Sequence, residues 1–237
     1  MPAYNAAQTI KDTYEEIPIK LRKNIILVDD GSTDKTIEIA RKLGISVFEH
    51  TRNLGYGGNQ KTCYGKALKK NPDIIVMLHP DYQYDARLIE ELIRPITEER
   101  YDFMFGSRIQ NRQSALSGGM PKLKYYINRL ICILENILLD VNFTEHFSGL
   151  RAYSSKVLKT VPFQQFSNDF VFDQQMEIAA LSFGFRIGEI PIPTRYHERA
   201  SSIQFFKGAK FILETFWTII LYKFHKLGLI RSNLFLQ

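Results

Sequence analysis

The sequence predicts an α/β fold with a mostly parallel, doubly wound sheet, on three observations. Short β-rich runs, IILVDD, ISVF, DIIVML and DFMF, alternate with segments of helical periodicity. Ile74 to Leu78 is apolar with no polar face, as in a strand covered on both sides. Polar or glycine-rich turns follow the runs, at the carboxyl ends where open α/β sheets bind ligands. At 237 residues and 45% hydrophobic content the chain can bury one large core with an appendage. A net charge of +6 and a pI near 9.2 suit nucleic acid, an anionic membrane or phosphorylated substrates equally. Cys63 and Cys132 lie far apart in helical segments, which argues against a disulfide framework or a zinc spacing and for a reducing, cytosolic setting. The sequence has no signal peptide and no uninterrupted apolar span of about 20 residues.

In chain order, MPAYN reads as the loop after a strand, so a strand of roughly 5 to 8 residues is expected before Pro2. Ala7 to Ile17 follows as a helix, with Ile10, Tyr14 and Ile17 at helical spacing. Ile25 to Asp34 is a strand and acidic turn leading into the helix TIEIARKL, capped by Ser32 or Thr33 and closed by Gly44. Asp29 and Asp30 at the strand end are placed to accept hydrogen bonds from a base or ribose. After the strand Ile45 to Phe48, Gly55, Gly57 and Gly58 lead into a helix near Asn59, where backbone can approach phosphate or sugar.

The strand from Asp73 stops at His79, Asp81 and Gln83, donors suited to a hard divalent cation holding phosphates. Asp85 caps the next helix, Ala86 to Glu99, whose apolar face is Leu88, Leu92, Ile93 and Ile96. A strand over Asp102 to Phe105 ends at Gly106, Ser107 and Arg108, and residues 111–119 have the composition of a lid loop. The helix from Pro121 carries a stripe of Tyr125, Leu130, Leu134, Ile137 and Leu138, read as core-facing, with an interfacial role as the alternative. FSGLRAYSSKVL reads as strand and short helix, with Arg151 available to a phosphate or a structural acid. Asp169 and Asp173 share a helix face if the helix has begun by Asp169. The tail mixes Phe205, Phe211, Trp217 and Tyr222 with lysines, as a helix lying in a membrane interface does.

PAYN, VDDGSTD, RNLGYGGNQK, LHPDYQYD, FGSR and FSGLRAYS, in this order and spacing, resemble family 2 glycosyltransferases, particularly dolichyl-phosphate mannosyltransferase and related polyprenyl-phosphate glycosyltransferases. The resemblance covers Met1 to about Ser202. It implies a GT-A fold over residues 1–202 that lacks its first strand, with 203–237 as an amphipathic, membrane-interfacial tail. It also implies a nucleotide-diphosphate sugar donor, a divalent cation (Mn²⁺ or Mg²⁺) and transfer of one sugar with inversion. Carried over by residue, Pro2, Tyr4, Val28 and Asp30 match positions holding base and ribose. His79, Pro80, Asp81 and Arg108 match the surroundings of the diphosphate, and Asp81 and Gln83 match metal ligands. His79 stands where an acid is usual and favours Mn²⁺, while Ala6 replaces an acid common after the YN pair. Arg108 and Arg195 match arginines near the diphosphate and acceptor, and Ser201 and Ser202 lie near the acceptor.

The expected function is therefore sugar transfer to a polyprenyl (dolichyl) phosphate at the cytoplasmic face of a membrane. Asp81, Arg108, Arg195 and Asp173 form the catalytic set, and no nucleic-acid partner is expected. The alternatives are transfer to a sugar hydroxyl, with Asp169 or Asp173 as general base, or a non-catalytic nucleotide-sugar-binding subunit.

Overall fold

A computed structural model describes residues 1–193, 195 and 205–236. In chain order the elements are β1 (Pro2–Ala3), α1 (Ile10–Glu16), α2 (Ile19–Arg22), β2 (Ile26–Asp29), α3 (Thr36–Lys42), β3 (Ser46–Glu49), α4 (Tyr56–Leu68) and β4 (Ile74–Met77). There follow α5 (Ile89–Thr97), β5 (Phe103–Ser107), α6 (Arg112–Ser117), α7 (Lys122–Leu139), β6 (Arg151–Ser154), α8 (Ser155–Thr160), α9 (Phe172–Ser182), β7 (Ile187–Pro191) and α10 (Phe205–Lys226).

The strands pair in the orders β1-β2-β3 and β4-β6-β5-β7. Three of the five pairings described are parallel, and both antiparallel ones belong to β6. The reason is topological. A parallel return needs a crossover to the other end of the sheet, whereas the chain leaves β5 at Ser107 and re-enters β6 beside it at Arg151, opposite Phe105. The mostly parallel sheet is as expected, but the reading of Ile74 to Leu78 as a fully buried parallel strand is corrected: β4 pairs with the inverted β6, and Ile74 and Val76 are only half-buried.

β1 is two residues long, paired in register with Val28 and Asp29, and the Met1 amine donates to the Ile26 carbonyl at 2.8 Å. Upstream of that pairing, between β2 and β4, lies an apolar cavity of about 400 Å³ lined by Met1, Ile26, Cys63, Ile75, Met77 and Ile93 among others. Apolar clusters cover both sheet faces. One, under α4, α9 and α10, includes Tyr64, Phe103, Tyr153, Phe172 and Ile219, with Phe103 and Tyr153 stacked at 4.3 Å. The other, under α1, α3 and α5, includes Ile10, Leu27, Ala40, Leu92 and Met104. Burying such side chains contributes about 1.5–3 kcal/mol each before entropy is subtracted.

Local signals behave unevenly. Gly44 takes φ +75° directly after α3, as a helix-ending residue should. Asp85 caps the turn before α5 by accepting from Arg87 N at 3.0 Å. Ser32 and Thr33 do not cap α3. The Asp34 carboxylate accepts from Thr36 N instead, because Ser32 is engaged with Asp29 and Asn5, and Thr33 with Asn5. Residues expected to form a lid contain α6, whose first turn is organised by Asn111 accepting from Ser114 N at 3.1 Å.

The largest correction concerns α7. Of the expected stripe only Tyr125 faces inward: Leu130 is 59% and Ile137 70% exposed, and Leu134 and Leu138 are exposed too. The inner face carries Tyr125, Ile131, Cys132 and Leu139 together with a fully buried Glu135. Apolar residues outnumber the positions the core can accept, so helical spacing could not tell which face is inward. α10 packs on α7 and α9 rather than standing apart, with Thr215, Ile219 and Tyr222 buried and Leu213, Trp217, Ile220 and Phe224 exposed.

Among the described residues Glu135 has no hydrogen-bond partner on either carboxylate oxygen, and burial pushes its carboxyl up to about 8. His146 lies 3.6 Å from it and 2.5 Å from Glu177. Burial acts to lower the His146 pKa, but the Glu177 charge and hydrogen bond and the Glu135 charge raise it on balance. Between the ordinary carboxyl value and about 8 the folded chain holds a proton at Glu135 that the unfolded chain has released, so this group removes stability as pH rises. The raised His146 acts in the same direction, its contribution being present at low pH and lost as pH rises through the folded value. Glu135→Gln, which is neutral at every pH, should therefore gain stability over the wild type progressively from pH 5 to pH 8. Melting curves should show a gain on the order of 1 kcal/mol or more at pH 8, roughly 2–4 °C at this chain length, and little at pH 5. A pH-independent difference would contradict it.

Candidate active site

The carboxyl ends of β1 and β2 are tied together by local polar contacts. Asp29 Oδ2 accepts from Gly31 N at 3.1 Å and Ser32 N at 2.8 Å, so this acid shapes its own turn. Asn5, at φ +52°, donates its N–H to Ser32 Oγ and accepts from Thr33 N, while Ala6 and Ala7 N–H groups donate to Thr36 and Asp34. Asp30 is 3% exposed and accepts from Leu54 N at 2.8 Å and Gly55 N at 3.0 Å, with His50 Nδ1 at 2.8 Å. Those contacts draw the glycine-rich loop onto the end of β2. Val28 and Pro2 are buried beneath this wall, and Tyr4 stands 55% exposed beside it.

That loop differs from the sequence expectation. α4 begins at Tyr56, and its first N–H groups are already used, Gly57 N donating to the Asn168 carbonyl at 2.8 Å. A Cβ on Gly57 would overlap the Ser167 carbonyl oxygen and sit 2.8 Å from Phe172 Cβ, and one on Gly58 would sit 2.9 Å from Leu54 Cβ. These two glycines serve close packing of the helix start against residues 167–172, not the approach of a phosphate.

Beyond β4, Pro80 O accepts from Thr9 Oγ1 at 2.6 Å, Gln83 N donates to Asp81 Oδ1 at 3.1 Å, and Tyr82 takes φ +58°. A left-handed non-glycine residue costs on the order of 1 kcal/mol or more and marks a turn held by its surroundings. Burial keeps the His79 pKa low, so its imidazole is neutral and able to bind a metal at neutral pH. Among the described residues no three His, Cys, Asp or Glu side chains form a metal cage. A cation here would therefore have Asp81, Gln83 and His79, completed by ligand oxygens and water. One carboxylate, one amide and one imidazole fit a metal carried with a diphosphate, and the nitrogen donor suits Mn²⁺ better than Mg²⁺.

Behind this loop stands Asp173, 8% exposed on the first turn of α9. Tyr56 Oη donates to its Oδ2 at 2.6 Å and Gln60 Nε2 to its Oδ1 at 3.0 Å. Burial and the Asp173 carboxylate raise the Tyr56 pKa well above the ordinary phenol value, so the phenol keeps its proton. The Asp173 carbonyl accepts from Arg151 Nη1 at 2.7 Å, and the same guanidinium donates to the carbonyls of His146 and Ser148. Arg151, read as open to a phosphate or a structural acid, is fully buried and 3.6 Å from Glu177, so the structural alternative holds. Because α9 begins at Phe172, Asp169 does not share a helix face with Asp173, and it pairs with Lys210 at 2.7 Å.

Arg108 and Arg195 sit apart. Arg108 is 8% exposed and held by fully buried Glu145, through its N–H, Nε and Nη2, with a further bond to Phe147 O at 3.1 Å. Breaking such a buried pair from one side costs about 3–5 kcal/mol, so Arg108 is a structural anchor whatever else it contacts. Lys124 lies beside it, its pKa lowered by burial and by the Arg108 charge. Arg195 donates to both Glu16 oxygens at 2.8 and 2.9 Å, lies 4.3 Å over the Tyr82 ring and donates its N–H to Gln83 O. It is therefore packed on the 81–83 turn. Ser201 and Ser202 lie outside the described residues.

Sequence reading missed Tyr56, Gln60 and Glu145. Gln60 is legible as the polar residue one helical turn beyond Tyr56, but Glu145 lies 37 residues from Arg108 and carries no motif.

The profile of Glycosyl transferase family 2 matches residues 1–161. A UDP-N-acetylglucosamine–dolichyl-phosphate N-acetylglucosaminyltransferase of Methanococcus voltae is 30% identical over 215 residues, covering 84% of this chain and 85% of that one. An uncharacterised protein of Methanocaldococcus jannaschii is 33% identical over 202 residues, 85% of this chain and 82% of its own. Among solved structures, glucosyl-3-phosphoglycerate synthase from Mycobacterium tuberculosis with Mn²⁺, uridine diphosphate and phosphoglyceric acid superposes with a TM-score of 0.68 at 19% identity, over 93% of this chain and 76% of that one. The strand order, the helices on both faces and that superposition make the fold GT-A-like. With the profile spanning the polar turns built above, the chain is a transferase that belongs to glycosyltransferase family 2.

Proposed function

We propose that this chain moves one sugar, with inversion, from a nucleotide-diphosphate sugar to a polyprenyl phosphate at a membrane surface, with a divalent cation held by Asp81, Gln83 and His79. The observation that carries the acceptor is the outward apolar surface of α7 and α10. Leu123, Leu130 and Ile137 on α7 and Leu213 and Trp217 on α10 are all more than half exposed, on helices that pack on each other and carry Lys122, Lys207, Lys210, Lys223 and Lys226. Among the described residues no helix is long and apolar enough to cross a membrane, whereas apolar faces flanked by lysines suit the interface of an anionic bilayer. The dolichyl-phosphate named for the Methanococcus voltae relative supports the same acceptor class.

In this reading the donor binds between the 79–83 turn and the surface that Tyr4 and Asp30 form over buried Pro2 and Val28, and Arg195, packed on Tyr82 and Gln83, faces the phosphates. A bound cation neutralises charge on the departing diphosphate. The lipid phosphate oxygen bonds to the anomeric carbon as the bond to the diphosphate oxygen breaks, and the nucleoside diphosphate leaves with that electron pair. A phosphate monoester is already anionic at neutral pH, so no general base is needed. Asp173 suits this, since both its oxygens already accept hydrogen bonds from Tyr56 and Gln60.

Initial rates with polyprenyl phosphate at saturating donor and Mn²⁺ test the assignment, with release of nucleoside diphosphate as readout. Asp81→Ala should abolish turnover, Arg195→Ala should lower it by about 10² or more, and Asp173→Asn should cost far less. A severe Asp173→Asn defect beside a mild Arg195→Ala one would indicate a hydroxyl acceptor and a base.

The membrane surface has its own test. Leu130→Glu with Ile137→Glu, both at exposed positions, should leave the melting temperature within a few degrees of wild type and abolish co-sedimentation with vesicles containing phosphatidylglycerol. Undiminished sedimentation would remove α7 from the membrane surface.

A further inference from the structure

Tyr56 joins the 79–83 turn to α9. Its Oη lies 2.6 Å from Asp173 Oδ2 and 3.3 Å from His79 Nε2, and its ring stacks on the His79 imidazole at 5.3 Å and 4° between planes. A phenol has one proton. Asp173, accepting from Gln60 as well, takes that proton as a hydrogen bond. The Tyr56 oxygen can then meet His79 only as an acceptor, which requires His79 to carry its proton on Nε2. Gly149 reinforces this orientation, because a Cβ there would stand 3.0 Å from both His79 Cδ2 and Nε2. The Cδ2–Nε2 edge of the ring is thus turned into the protein, and Nδ1, the opposite vertex, carries the lone pair.

We propose that Tyr56 is a positioning residue for the cation: the relay Asp173–Tyr56–His79 fixes the Nε2–H tautomer and presents Nδ1 as the imidazole ligand beside Asp81. The assignment rests on the metal-dependent reading above and adds to it a ligand atom and the side chains that orient it. Its chemistry is that of other metal-bound histidines, whose second nitrogen donates to a fixed acceptor, and loss of that acceptor lowers metal affinity roughly 10- to 100-fold. Gly149 has a place in the same device, since any larger residue would displace the ring.

The test is Mn²⁺ binding followed by electron paramagnetic resonance in the presence of UDP or GDP, without turnover. Tyr56→Phe keeps the ring stack and removes the hydroxyl, and it should weaken Mn²⁺ about 10-fold or more. In a His79→Ala background the same change should have no effect, which separates the relay from a general structural role. Equal affinity in wild type and Tyr56→Phe, or an equal loss in both backgrounds, would overturn the relay.

A second pair of variants reads the ligand atom without touching Tyr56. The asparagine amide oxygen overlays histidine Nδ1 and the glutamine amide oxygen overlays Nε2, so His79→Asn should bind Mn²⁺ more tightly than His79→Gln. The reverse order overturns the assignment. Wild-type protein that binds no Mn²⁺ with either nucleotide overturns the metal reading and this proposal together, whereas wild-type binding unaffected by Tyr56→Phe overturns this proposal alone.

Discussion

The Arg151 guanidinium is fully buried, and its donors go to the carbonyls of His146, Ser148 and Asp173. Burying a charge this deeply is tolerable only when it is hydrogen-bonded and paired, and Glu177 lies 3.6 Å from the guanidinium. The requirement runs outward from there. The Asp173 carbonyl fixes the first turn of α9, and with it the carboxylate that meets Tyr56 and Gln60. The His146 and Ser148 carbonyls fix the loop that sets Gly149 against His79, and Gln174 Nε2 doubles the hold on His146 O at 2.7 Å. One side chain on the inverted strand thus holds the back wall of the candidate site. The inversion of β6 is what places Arg151 at the carboxyl ends of its neighbours.

Charge elsewhere in the 108–150 excursion follows the same economy. Arg108 and Glu145 are paired out of water, and burial raises the Glu135 carboxyl so that its charge is suppressed below about pH 8. α7 is thereby an unusual amphipathic helix, with a carboxyl group inside and leucines and isoleucines outside. That inversion makes sense where the outside is not water. α7 and α10 pack on each other, each with exposed apolar residues, and the Phe147 ring, one residue beyond His146, lies 5.6 Å from that of Phe211 on α10. The loop anchored by Arg151 therefore reaches both the candidate site and α10.

Much of this was legible in the sequence where the signal is local. The helix stop at Gly44, the cap at Asp85, the polar break after Leu78 and the strand–turn–helix rhythm each depend on residues within a few positions of one another. Order and spacing of the motifs gave the family in the same way, which the profile over residues 1–161 bears out. What was not legible depends on distant partners. Nothing near Asp30 in the sequence shows that its carboxylate also accepts from Leu54 and Gly55 N–H, and Gly57 and Gly58 read as a phosphate loop until residues 167–172 are seen against them. Spacing grouped Leu130, Leu134, Ile137 and Leu138 on one face of α7 but added inward-facing Tyr125, and the direction of that face depends on which side meets Glu177, His146 and Arg151.

The product itself decides the acceptor. Purified protein incubated with Mn²⁺, a panel of nucleotide-diphosphate sugars and a short polyprenyl phosphate should convert the lipid to a species heavier by one sugar residue, detected by mass spectrometry, with one nucleoside diphosphate released per lipid consumed. The unphosphorylated polyprenol should remain unmodified. Donor consumption without sugar on the lipid, or transfer to the free alcohol in preference to its phosphate, would rule out a polyprenyl phosphate as acceptor.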